Sequence, residues 1–141
     1  MKDSKVIVGL YLRGENLDPE LISNTIGINP TKSQYKGEKH TTSTNREFIS
    51  KIGMWALISD SESYSVSNHI NQLISKIGKN EIMIRNMVGV QEAYVDIFIA
   101  TRADEDGEGV CEFELDSDIF AFIGKLGLPV RFTVEVVKET K

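Results

Sequence analysis

Residues 14–30 read GENLDPELISNTIGINP, and this stretch decides how the rest of the chain is read. Asp18 is a good helix N-cap, because its carboxylate can accept from a free N–H of the first turn. Pro19 then stands at the first helical position, where its missing N–H is not needed. Glu20 puts a negative charge in the first turn, where it suits the helix dipole. Leu17, Leu21, Ile22 and Ile26 recur at helical spacing, which predicts one apolar side. Gly27 can take the left-handed conformation that ends a helix, and Pro30 prevents an early restart. A short helix follows directly on a strand, so the fold mixes the two.

Working outward, residues 5–13, KVIVGLYLR, are apolar, aromatic and β-branched, and predict a buried strand. Gly9 within it predicts a bulge or a close neighbour. The alternation argues for a strand here rather than a signal peptide. Residues 31–53 are polar and long for a loop, so part of them should pair as an edge strand. Met54–Asp60 reads as the next strand, and Ser63 or Ser65 can cap a following helix. Val66, Ile70, Leu73, Ile74 and Ile77 form the clearest amphipathic helix, closed by Gly78. His69 is read among polar neighbours on its wet side. Residues 81–90 predict a short strand interrupted near Asn86 or Gly89, and residues 93–101 predict a further strand. ADEDGEG at 103–109 predicts a hairpin turn, because Asp-Gly supplies positive φ. Residues 110–115 should return as a strand with Cys111, Phe113 and Leu115 on one face and Glu112 and Glu114 on the other. Asp116 or Ser117 can cap a last helix, ended by Gly127 and Pro129. Residues 130–136 alternate, which predicts a closing strand with one wet face.

The chain of 141 residues fits one domain, 1–141. Its pattern predicts an α+β fold, a mainly antiparallel sheet with two to three helices packed on one face. A ferredoxin-like arrangement is the natural candidate, duplicated if the echo between 17–30 and 115–129 reflects pseudo-symmetry.

Charge is unevenly spread around a net of −5. In 31–53, Lys32, Lys36, Lys39, Arg46 and Lys51 outweigh Glu38 and Glu47. In 92–118, ten carboxylates face only Arg102. The overall balance argues against a nucleic-acid binder, which needs a basic face. No apolar run is long enough to span a membrane. A single cysteine permits no internal disulfide and fits a cytoplasmic location.

No catalytic set is evident. His40 and His69 lack partners at metal-ligand spacing, and there is no H-E-x-x-H, C-x-x-C or phosphate loop. Cys111 reads as a packing residue, Trp55 as a core anchor and the 103–109 turn as a solvated tip rather than a calcium loop. The expectation is a protein that is not an enzyme and uses no cofactor or metal.

The chain resembles a bacterial family known as domain of unknown function four-two-seven-nine. The resemblance rests on Gly14, Leu17-Asp18-Pro19, Ile22, Gly27-Ile28, Pro30-Thr31 and Gly37, then Trp55, His69-Ile70, Leu73, Ile119 and Gly127. The closing strand, RFTVEVV, departs from that family's acidic-aromatic ending. The resemblance implies a single α+β domain without known catalytic residues.

Small acidic bacterial domains of this type suggest, by analogy, an immunity protein that binds and neutralises a cognate protein toxin, such as a basic nuclease. The expected partner-binding residues are Asp104, Glu105, Asp106, Glu108, Glu112 and Glu114, since a dense acidic surface attracts a basic protein. The alternative expectation is a small-ligand-binding or regulatory domain.

Overall fold

A computed structural model describes residues 5–78, 84–102 and 112–137. Its strands are β1 (Lys5–Gly14), β2 (Lys32–Gln34), β3 (Lys39–Thr41), β4 (Glu47–Ile49), β5 (Gly53–Ile58), β6 (Glu92–Arg102) and β7 (Val130–Val137). Its helices are α1 (Pro19–Ile26), α2 (Val66–Ile77) and α3 (Ser117–Leu126). The main sheet has the order β2-β5-β1-β6-β7, and β3 pairs with β4 apart from it.

β1 lies in the middle, antiparallel to β5 and to β6, so Gly9 faces Ile58 on one side and Asp96 on the other. β2 is antiparallel to β5, whereas β7 is parallel to β6. The α+β expectation therefore holds, with a mainly antiparallel sheet. The run β1-α1-β2-β5-α2-β6 is one β-α-β-β-α-β unit of the split, ferredoxin-like kind. It is not repeated; α3 and β7 are appended to its β6 edge. The echo between 17–30 and 115–129 reflects similar helix ends rather than a repeat, since α1 leads to a strand two places from β1 and α3 to one beside β6.

The period-2 pattern decides the faces. Val6, Val8, Leu10 and Leu12 of β1, Trp55 and Leu57 of β5, and Val95, Ile97 and Ile99 of β6 all point to one side and are buried. Ile22 and Ile26 of α1, Ile70, Leu73 and Ile77 of α2, and Ile119 and Leu126 of α3 close that core. The opposite face of the sheet carries Tyr11 stacked on Tyr94 at 5.3 Å, with the Arg131 guanidinium 3.8 Å from the Tyr94 ring centre. Gly9 is the close neighbour expected there: a Cβ would stand 2.7 Å from the Tyr11 ring.

The helix signals resolve as the residues require. Asp18 accepts from the N–H groups of Glu20 and Leu21, and Gly27 ends α1 at φ 80°. Ser65 caps α2 by accepting from the Asn68 N–H. Asp116 occupies the N-cap of α3, but its side chain makes no capping bond.

Several expectations need correction. Leu21 is exposed, because position 21 lies at the rim of the apolar stripe of α1. Of the short strand expected within 81–90, residues 81–83 lie outside the described residues, and 84–86 form a 3-10 turn at the expected interruption, with Ile84 fully buried. Residues 112–116 form no strand. β7 has no dry face: it is the outermost described strand, and Phe132, Val134 and Val136 are half-exposed beside Arg131, Thr133 and Glu135. The 103–109 turn and Cys111 lie outside the described residues.

Candidate functional site

The predicted acidic surface is partly placed. Asp104, Glu105, Asp106 and Glu108 lie outside the described residues, while Glu112 and Glu114 are exposed. Their segment is held where it leads into α3 by contacts to α2 and β7. The Ser67 hydroxyl donates to the Glu114 carbonyl at 3.3 Å and accepts from the Asp116 N–H at 3.3 Å. The Phe113 ring stacks on Phe132 of β7 at 5.7 Å. Fixing the odd-numbered Phe113 on the sheet turns its two glutamates to solvent.

Asp116 and Asp118 continue the series into the first turn of α3, where the helix dipole favours carboxylates. No described lysine or arginine forms an ion pair with Glu112, Glu114, Asp116 or Asp118; pairs within the described residues include Lys36 with Glu15 and Arg131 with Glu92. Phe120, one turn further along α3, is 68% exposed. A large apolar side chain near carboxylates that pair with no described lysine or arginine is chemistry for macromolecular contact. Phe120 is apolar by type, and nothing local in the sequence marks it as facing outward.

His69 is not on a wet face. It is fully buried, with Nδ1 2.5 Å from Ser59 Oγ and Nε2 2.7 Å from the Ser63 carbonyl. A carbonyl can only accept, so Nε2 carries a hydrogen there. Ser59 Oγ also accepts the Val8 N–H at 3.0 Å, which leaves its own hydrogen for Nδ1. The hydrogen-bonding side-chain atoms of this serine–histidine pair are thus occupied within the fold. Helical spacing from Val66 and Leu73 was the signal for its burial. Trp55 is the expected core anchor: it is fully buried, and its Nε1–H donates to Ser23 Oγ at 3.0 Å.

A second recess lies between α1 and β2. It is an open cleft of about 510 Å³, lined by Glu20, Ser23, Asn24, Asn29, Ser33 and Tyr35 with the rings of Pro19 and Pro30. Partial burial, then the carboxylates of Glu20 and Asp18, push the Tyr35 hydroxyl above its ordinary range, so it remains a donor. The α1–turn–β2 segment that organised the sequence reading forms this cleft.

Among the described residues, no three His, Cys, Asp or Glu side chains gather to hold a metal. No described helix is long and apolar enough to cross a membrane. These features define an α+β domain with a one-sided core, an acidic segment and an outer strand open to its surroundings. The chain belongs to the family described as Domain of unknown function (DUF4279), whose model matches residues 4–137. Comparison with curated proteins gave no match, and comparison with solved structures gave none.

Proposed function

We propose that this protein is a binding module that captures a basic protein through residues 112–120, in the manner of a cytoplasmic immunity protein that covers a cognate toxin. The observation that carries the reading is the group Glu112, Glu114, Asp116 and Asp118, exposed and without ion pairs to described residues, beside the outward Phe120. Exposed carboxylates raise the encounter rate with a positive surface, and an aromatic side chain supplies a desolvated anchor. Inhibition then follows from occlusion, with no chemistry required of this chain.

The test is co-expression with the product of the adjacent reading frame. A complex, and restored growth where that product is toxic, are expected. Glu112→Lys combined with Glu114→Lys should slow association and steepen its loss with salt. No complex and no rescue would refute the reading.

The cleft at α1 favours a second reading, a small-ligand or regulatory domain. The side chains of Asn24 and Asn29 line it without hydrogen bonds to described residues, leaving their amides for a polar ligand. A thermal-shift screen of polar metabolites should then give a concentration-dependent rise in Tm, abolished by Asn24→Ala.

A further inference from the structure

We propose that two copies of this chain join through the outer edge of β7 into one continuous sheet. Val95 N–H donates to the Pro129 carbonyl at 2.9 Å at the start of the parallel β6–β7 ladder. Odd-numbered residues of β7 therefore turn their backbone groups to β6, and Val130, Phe132, Val134 and Val136 turn theirs outward. Among the described residues no strand takes up those groups. Such an edge, eight residues long with half-exposed Phe132, Val134 and Val136, is an open template for another strand.

The side chains select a second copy. An antiparallel pair must oppose even residues to even residues. When Phe132 opposes Val134 of the second copy, residues 130–136 are all paired and Thr133 lies on the two-fold axis. Arg131 then opposes Glu135 of the second copy, and the reverse pair repeats across the axis. The next allowed registers place Arg131 opposite Thr133 or Val137 and lose both charge pairs. Arg131 already reaches Glu92 on β6, and its five donors can serve a second carboxylate. On the other face, Phe132 meets Val134 beside Phe113, which extends the stacked aromatic pair.

Sedimentation equilibrium of the full chain tests this, with circular dichroism confirming that each variant is folded. The wild type is expected at twice the chain mass at micromolar concentrations and above. Val134→Pro removes an outward donor and leaves the β6 ladder intact. Glu135→Arg and Arg131→Glu each set like charges opposite one another twice over. Each of the three should weaken the dimer about tenfold or more. Mixing the Glu135→Arg and Arg131→Glu chains should restore a dimer, because each then meets its opposite. A wild type that stays monomeric, or a Val134→Pro dimer as tight as wild type, would overturn the proposal. A mixture that fails to associate would overturn the register.

Discussion

Replacing His69 with phenylalanine should destabilise the fold by about 2–4 kcal/mol, although the ring volume is nearly kept. The magnitude comes from the two groups left behind. The Ser59 hydroxyl hydrogen loses its acceptor at a buried site, and the Ser63 carbonyl loses its donor nearer the surface. A net hydrogen bond is worth about 1 kcal/mol, and a stranded buried group costs about 1–3 kcal/mol. The hydroxyl counts nearly in full, whereas the carbonyl regains water and falls at the low end. His69→Ala adds a cavity and should reach about 4–5 kcal/mol, a large part of a domain's total stability. Urea denaturation read by the fluorescence of Trp55, the single tryptophan and fully buried, gives both values. In a double-mutant cycle with Ser59→Ala, the combined loss should fall short of the sum by about 1–2 kcal/mol. Additive losses, or a His69→Phe variant within about 0.5 kcal/mol of wild type, would refute the reasoning.

Other perturbations probe separate parts of the fold. Gly14→Ala would place a Cβ 1.9 Å from the Gly89 carbonyl oxygen, and backbone cannot yield cheaply, so a loss of about 3 kcal/mol is expected in the same denaturation assay. Asp18→Ala removes the cap of α1 and should cost about 1 kcal/mol, with Asp18→Asn nearly neutral. The hydrogen bond from Gln72, then the charge of Lys76, hold the Asp60 carboxyl below its ordinary range. A depressed folded-state value means the unfolded chain binds more protons, so this contribution is present above about pH 4 and is lost as pH falls through the folded value. Asp60→Asn should therefore flatten the acid limb of a stability–pH profile: the variant is less stable than wild type near neutrality, and the two profiles converge as pH falls below the folded value.

The local chemistry of α1 and α2 was legible because caps, glycine stops and the 3.6-residue stripe act within a few residues of chain. The strand assignments of β1, β5 and β6 were legible for the same reason. What escaped depended on distant neighbours. Alternation in 130–136 is the pattern of a strand with one covered face, and nothing local tells whether a cover exists; β7 came to lie outermost. His69 looked wet because its immediate neighbours are polar, yet its burial follows from Ser59 and the Val8 N–H, supplied by β5's end and β1. Phe113 and Glu112 alternate as in a strand, but their course is set by Ser67 of α2. On α3, composition marked Phe120 as apolar, and only the fold showed that it faces outward one turn beyond Asp116.

β1 precedes both of its partners in the chain, and both arrive late. Its outer contacts wait for β5, and the pairs from Val6–Ile99 to Leu12–Ala93 wait for β6. Until then Val6, Val8, Leu10 and Leu12 have no sheet to join, and the nascent chain is a ready client for holding chaperones. Once β6 emerges, the unit from β1 to β6 has every strand it needs, so α3 and β7 dock onto a finished template. Folding is accordingly gated by a long-range closure at the middle of the sheet rather than by the helices, whose local signals are complete early.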